Sequence, residues 1–107
     1  VASGMGSNAI GAWANATKDC SNAIGFSAEA TGIHSNAIGT IAEASGKYST
    51  AVGYEAKASA EGAIALGYGS VADEENVVSV GSGEADKAYG YRKIVNIKDG
   101  SISDGLR

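Results

Sequence analysis

The chain has 107 residues, which corresponds to about one domain and excludes a large enzyme of two domains. It holds 20 Ala, 16 Gly and 13 Ser, whereas Leu, Ile, Val and Phe together supply only 19 residues, so an ordinary layered core is hard to build. The formal net charge of −4 gives no basic surface for phosphates, and it argues against nucleic acid as a partner and against contact with anionic membranes.

Targeting segments are not evident in the sequence. No stretch approaches 18 apolar residues, and the first residues lack the charged and apolar regions of a signal peptide. We therefore expect a fragment from inside a longer chain that makes no membrane contact of its own. Cys20 is the single cysteine and leaves the redox compartment undecided.

A repeat of 14 residues organises the chain from Ser7 onward. Its segments are SNAIGAWANATKDC, SNAIGFSAEATGIH, SNAIGTIAEASGKY, STAVGYEAKASAEG and AIALGYGSVADEEN, and VVSVG opens a sixth. We number the positions of each segment from one to fourteen; position five is always Gly and position four is always a branched aliphatic residue. A unit of this length is too short for a pair of helices but suits one coil of two short strands and two turns. The repeat therefore predicts an all-β fold, a β-solenoid.

Residues alternate with a period of two, so neighbouring positions lie on opposite faces of each strand. If the small residues face inward, the two strands of a coil approach closely around a thin interior. The predicted roll interior consists of Ala9, Gly11, Ala23, Gly25, Ala37, Gly39, Ala51, Gly53, Ala65 and Gly67.

Position four then forms an outward apolar stripe, which a soluble monomer rarely exposes. The stripe consists of Ile10, Ile24, Ile38, Val52, Leu66 and Val80. We expect partner chains to bury it, most simply by cyclic symmetry. The alternative is that the stripe packs inside a single-chain roll, because the pattern alone does not distinguish the inner from the outer face.

The 14-residue register fails after Gly81, and the rest of the chain is more charged and less repetitive. Ile94, Val95 and Ile97 form a short apolar run, and turn signals follow at Asp99-Gly100. Solenoids generally need a cap at a terminal repeat. We therefore divide the chain into a β-roll, residues 1–81, and a junction or cap, residues 82–107.

The segments SNAIG, STAVG, AIALG and VVSVG resemble the Ser-Val-Ala-Ile-Gly repeats in the heads of YadA-like trimeric autotransporter adhesins, over residues 1–81. The segment RKIVNIKDG, residues 92–100, is similar to that family's neck, which joins the head to a coiled-coil stalk. The resemblance implies a left-handed parallel β-roll, a homotrimer with the position-four stripe between its chains, and a neck that locks neighbouring chains and leads toward a coiled coil. The implied neck residues are Arg92, Ile94, Ile97, Asp99 and Gly100.

Two features depart from the family pattern. The frequent Val at position two is replaced by Asn8, Asn22 and Asn36, so we expect stacked amides that form hydrogen-bonded ladders. Extra sequence at about 82–91 separates the last Gly of the roll from the neck pattern and predicts an inserted loop.

The sequence gives little support for catalysis, metal binding or phosphate binding. Cys20 and His34 share position fourteen and would lie near each other, as a nucleophile and its base do, but no orienting carboxylate is specified. There is no CxxC, no HxxxH and no acidic calcium repeat, and the glycines lack the Lys-Ser or Lys-Thr of a phosphate loop. We predict no enzyme, no metal site and no cofactor.

Aromatic residues are the better candidates for ligand binding. Phe26, Tyr54 and Tyr68 share position six, and Trp13 lies at position seven. An outward aromatic patch can anchor a partner. The alternative is that these side chains cover the turn or pack between chains.

The resemblance implies a non-enzymatic adhesin head at the bacterial cell surface, anchored in the outer membrane by parts of the chain that are not present here. Its implied partners are host extracellular matrix proteins or cell-surface receptors, and self-association of the heads would cause autoaggregation. The alternative function is a structural trimeric fibre or spacer, as in a phage tail fibre, without ligand binding of its own. An ice-binding solenoid is the weakest reading, because the outward Thr column at position eleven ends after Thr31.

Overall fold

A computed structural model describes residues 1–84 and 90–99 of the chain, and this part consists of short β-strands and turns with no helix. The strands alternate between three-residue and two-residue segments, two per coil. In chain order they are β1 (Asn8–Ile10), β2 (Asn15–Ala16), β3 (Asn22–Ile24), β4 (Glu29–Ala30), β5 (Asn36–Ile38), β6 (Glu43–Ala44), β7 (Thr50–Val52), β8 (Lys57–Ala58), β9 (Ile64–Leu66), β10 (Val71–Ala72) and β11 (Val78–Ser79).

The strands form two parallel sheets whose neighbours are one coil apart. The six-stranded sheet has the order β1-β3-β5-β7-β9-β11, and the five-stranded sheet has the order β10-β8-β6-β4-β2. Pairing is in register with the repeat, since Asn8 lies opposite Asn22 and Ile10 lies opposite Ile24. The predicted parallel β-solenoid with a coil of 14 residues is therefore confirmed.

The interior between the two sheets is filled by alanine. Ala23, Ala37, Ala51 and Ala65 from the larger sheet are completely buried, and Ala9 in the first coil is half-buried. The smaller sheet and its turn add further buried alanines, namely Ala14, Ala16, Ala28, Ala30, Ala42, Ala44, Ala56, Ala58 and Ala72. Because a methyl group is the largest common side chain here, the two sheets pack closely and leave no room for a bulky core.

The glycines of position five lie at the rim of this interior rather than among the alanines. Gly11 is exposed, and Gly25, Gly39, Gly53 and Gly67 are half-buried. Each ends a strand of the larger sheet with a positive φ, for example 129° at Gly39. A Cβ on Gly39 would lie 2.7 Å from the carbonyl oxygen of Gly53 in the next coil, so close stacking of the backbones requires the missing side chain.

Both turns of each coil contain a residue with left-handed backbone geometry. At position seven φ is 61° at Trp13 and at Ile41, and at position fourteen it is 58° at His34 and 62° at Tyr48. An L-residue loses about 1–2 kcal/mol in this conformation. Several bulky residues therefore lie at the corners of the solenoid although the left-handed conformation there is unfavourable for their backbone.

The 14-residue hydrogen-bond register ends at Gly81. In the earlier coils the amide at position nine donates to the position-eight carbonyl of the next coil, as Lys57 does to Ser70 at 2.9 Å. Val71 instead donates to the carbonyl of Gly81 at 3.0 Å, three residues before the position that the repeat specifies. The chain thus leaves the solenoid path there, and Gly83 and Gly90 are joined by a backbone hydrogen bond of 2.9 Å.

Candidate functional site

The outward face of the six-stranded sheet is uncharged and largely apolar. It consists of the position-two and position-four columns, and neither column contains Asp, Glu, Lys or Arg. Ile10 is 60% exposed, and Ile24, Ile38 and Leu66 are each between 37% and 40% exposed. Val52 and Val80, the remaining members of the predicted interface, are half-buried. Five of the six residues form one continuous stripe, because their strands pair in register. Val80 directly follows β11, which is the next strand of the sheet.

An asparagine ladder lies beside the first half of the stripe. The Nδ2 of Asn8 donates to Oδ1 of Asn22 at 2.7 Å, and Nδ2 of Asn22 donates to Oδ1 of Asn36 at 2.8 Å. The column continues as Thr50, Ile64 and Val78, so it is polar in the first coils and apolar in the last. The hydrogen bonds that the sequence predicts between the side-chain amides of the position-two column are present in the structure.

The aromatic candidates lie at the turn that follows the stripe, and they form two separate pairs. The rings of Trp13 and Phe26 are 5.3 Å apart and inclined by 59°, whereas those of Tyr54 and Tyr68 are stacked at 5.4 Å. Thr40 occupies the intervening coil at position six and separates the pairs. All four aromatic side chains are exposed, Trp13 most of all at 74%. This turn therefore presents two short aromatic surfaces beside an apolar face.

A third aromatic pair lies at the opposite turn and was not among the predicted binding residues. The rings of His34 and Tyr48 stack at 5.5 Å, and Nζ of Lys47 lies 5.1 Å from the centre of the Tyr48 ring. Both ring residues share position fourteen, so the repeat alone contained the signal for their contact. Cys20 lies one coil earlier in this column and is an exposed free thiol.

The five-stranded sheet presents a polar outer face, in contrast to the larger sheet. Glu29, Glu43 and Lys57 follow one another in its position-nine column, and Lys57 Nζ lies 3.8 Å from an oxygen of Glu43. Both side chains of this ion pair are well exposed, so it contributes at most about 1 kcal/mol. The two outer faces of the solenoid therefore differ in chemistry, and only one of them has the composition of an interface core.

Arg92 closes the end of the solenoid. Its guanidinium donates to the carbonyl of Val80 at 2.6 Å, to Oγ of Ser70 at 3.0 Å and to the carbonyl of Tyr68. In earlier coils the position-six carbonyl accepts from a backbone amide one coil later, as Tyr54 does from Gly69 at 2.9 Å. The side chain of Arg92 thus supplies a donor where the next coil is missing.

In the fifth coil, position eight of the repeat is Ser70 instead of Ala, and this serine contributes to the same cap. Position eight is Ala in the four preceding coils, and the hydroxyl at Ser70 both accepts from Arg92 and donates to the carbonyl of Leu66 at 2.6 Å. A polar residue in an alanine column is the signal that could have identified this contact from the sequence. It was missed because the partner lies 22 residues away, outside the repeat.

The other predicted neck residues make no comparable contacts within the described part of the chain. Ile94 and Ile97 are 63% and 66% exposed, Asp99 is exposed, and Gly100 lies outside the described residues. Of the predicted inserted loop, residues 85–89 also lie outside the described residues. The neck prediction therefore rests on Arg92 and on the exposed apolar run that follows it.

Within residues 1–84 and 90–99, no group of three or more His, Cys, Asp or Glu side chains converges. A helix with the length and apolar character of a membrane span is not found in the same residues.

Comparison with known proteins identifies one family. The family model described as YadA head domain repeat (2 copies) matches residues 21–40, 30–56, 44–70 and 58–83. These overlapping matches follow the coils of the solenoid and together cover more than half of the chain. The comparison with curated proteins finds no match.

Proposed function

Because the chain belongs to the YadA head domain family, a family of adhesins and not of enzymes, we propose that it is the head of a trimeric autotransporter on the bacterial cell surface. Adhesins of this family are anchored in the outer membrane. The finer proposal is that this head attaches the cell to host extracellular matrix proteins or cell-surface receptors. One observation carries it: the solenoid exposes repeated aromatic pairs at the turn beside its apolar face.

A homotrimer about a threefold axis is the proposed assembly. The stripe from Ile10 to Val80 supplies the bulky apolar side chains that the alanine interior lacks. Cyclic symmetry brings identical stripes together and removes them from water, which an exposed stripe on a single chain does not achieve. The charged outer face of the smaller sheet then points to solvent. The left-handed sense of the roll is part of this proposal.

The proposed domain organisation is a head roll, residues 1–81, followed by a neck and connector, residues 82–107. Arg92 joins the two parts through Ser70 and Val80. The exposed Ile94, Val95 and Ile97 would pack against neighbouring chains, since an apolar run is costly to leave in water. A coiled-coil stalk would then continue from this neck.

Binding would operate by multivalency. Trp13, Phe26, Tyr54 and Tyr68 are the proposed ligand contacts, and a trimer presents each pair three times. Linked weak sites raise the effective concentration of the ligand at the surface, so no deep pocket is needed. Contact between heads on different cells through the same surfaces would produce autoaggregation.

Binding of the 107-residue chain to immobilised collagen, fibronectin and laminin tests the proposal. We expect saturable binding to at least one of them, and we expect the double variants Trp13→Ala/Phe26→Ala or Tyr54→Ala/Tyr68→Ala to weaken it about tenfold or more, as loss of aromatic anchors does. Tyr48→Ala, on the opposite turn, is the matched control and should bind normally. No saturable binding to any of the three would favour a structural spacer over an adhesin head.

A further inference from the structure

We infer that the asparagine ladder of Asn8, Asn22 and Asn36 recognises the same ladder on a second copy of this chain, and that it fixes the parallel orientation and the coil register of the assembly. The inference rests on the proposed homotrimer, because it concerns which surfaces meet within it. It adds a specificity element to an interface whose position-four stripe is apolar throughout.

The ladder leaves hydrogen-bonding capacity directed away from its own chain. The Nδ2 of Asn22 has two hydrogens and its Oδ1 has two lone pairs, and the ladder uses one of each. The backbone at this position is already engaged in the parallel sheet, for example by the bond of 2.9 Å from Asn22 N to the Ser35 carbonyl. The remaining amide hydrogen and lone pair are therefore available to a partner on the outer face.

The surroundings of the ladder favour a second copy over a charged ligand. The neighbouring column is an exposed aliphatic stripe, and neither outward column of this sheet contains a charged residue. Depletion of charge around an apolar centre is typical of the core of a protein interface. Asn22 and Asn36 are already half-buried in the single chain, so a partner has to cover only part of each amide.

The change of polarity along the position-two column gives the ladder its specificity. When two copies lie parallel and in register, amides meet amides in the first three coils, and Ile64 and Val78 meet their equivalents. In an antiparallel arrangement Asn22 would meet Ile64 and Asn8 would meet Val78. A slip of two coils would likewise place Asn36 against Ile64. Each of these mismatches buries the remaining hydrogen and lone pair of an amide without a partner, which is unfavourable, and a single buried Asn is known to specify register in this way.

Distances between spin labels on the native Cys20, the exposed and single cysteine of the chain, test the inference. The 107-residue chain is compared with the ladder variant Asn8→Val/Asn22→Val/Asn36→Val and with the control variant Asn15→Val/Thr17→Val/Thr31→Val on the outer face of the smaller sheet. Valine is compatible with the ladder column, because Val78 already occupies it. Far-UV circular dichroism and light scattering confirm the fold and the mass of each variant, and Asn22→Val alone serves if the triple ladder variant does not fold.

We expect one narrow distance for the unsubstituted chain and for the control. The ladder variant should remain a trimer but show additional, longer distances, since a slip of two coils displaces the labels by about 10 Å along the axis. A trimeric ladder variant with the same single distance would overturn the inference and leave the proposed trimer intact. A mass of one chain for the unsubstituted protein would overturn the trimer, and the inference with it.

Discussion

At the scale of single residues, the solenoid depends on alanine and glycine, whose side chains are a methyl group and a hydrogen atom. The interior holds methyl groups in nearly every column, and its largest completely buried side chains are serines, such as Ser21 and Ser35. Little free energy comes from each buried methyl group, so the fold relies on many identical contacts between backbones. The glycine at position five is the most restrictive residue, because it combines a positive φ with a close approach to the next coil.

Substitution of Gly39 by Ala should destabilise the chain by about 2–5 kcal/mol. The new Cβ would meet the backbone of Gly53 at 2.7–2.8 Å, and the backbone would also be strained at φ 129°. Urea unfolding followed by circular dichroism measures the loss.

Gly83→Ala is the control for Gly39→Ala. Gly83 also has a positive φ, 82°, but among the described residues no atom other than those of its chain neighbours lies within 4 Å of a Cβ placed there. Only the conformational cost of about 1–2 kcal/mol should remain. Equal losses for the two variants would show that the close approach between coils contributes nothing.

At the scale of elements, each coil is stabilised by its neighbours rather than by its own contacts. A two-residue strand such as β4 cannot persist alone, but it pairs with β2 on one side and β6 on the other. The last coil lacks this second neighbour. Arg92 partly replaces it, since its guanidinium donates hydrogen bonds to backbone carbonyls that would otherwise accept them from the amides of a next coil.

The variant Arg92→Ala should loosen the last coil without affecting the first ones. Loss of hydrogen bonds from a charged donor costs about 1.5–3 kcal/mol, and here the acceptors lie in the residues that follow β9 and β11. Hydrogen exchange of the backbone amides should accelerate in these strands and stay unchanged in β3 and β5. Lys93→Ala, at an exposed neighbouring residue, is the control; a uniform acceleration along the chain would contradict local capping.

At the scale of the whole molecule, the solenoid has two outer faces of opposite character. The larger sheet presents the aliphatic stripe and the asparagine ladder, and the smaller sheet presents charged and hydroxyl side chains. A thin interior of alanine leaves the bulky apolar residues outside. In the proposed trimer, association removes these bulky side chains from water.

The double variant Ile24→Glu/Ile38→Glu should convert the proposed trimer into single chains. Carboxylates in the centre of the stripe would have to be buried unpaired between the copies, at a cost of several kilocalories per mole for each ion. Light scattering after size exclusion measures the change from three times 10.6 kDa to 10.6 kDa. Thr17→Glu/Thr31→Glu, on the outer face of the smaller sheet, should leave the mass unchanged, and equal dissociation of both variants would contradict the proposed interface.

The sequence by itself determined the coil length and the stacking of equivalent residues in columns, although it did not decide whether the alanine columns face inward. Local periodicity specifies these features, because Ala9, Ala23 and Ala37 recur every 14 residues and only a solenoid places such residues in one column. The amide ladder followed from the same argument, since Asn8, Asn22 and Asn36 share one column.

Only the tertiary structure decided which side chains meet outside the repeat. It separated the aromatic candidates into two pairs around Thr40, brought His34 onto Tyr48, and placed Arg92 on Ser70 across 22 residues. A repeat specifies the height of a residue along the solenoid, but the direction of a side chain at a turn depends on the backbone angle φ. The path of the chain after Gly81 depends on which backbone carbonyls still lack a hydrogen-bond donor.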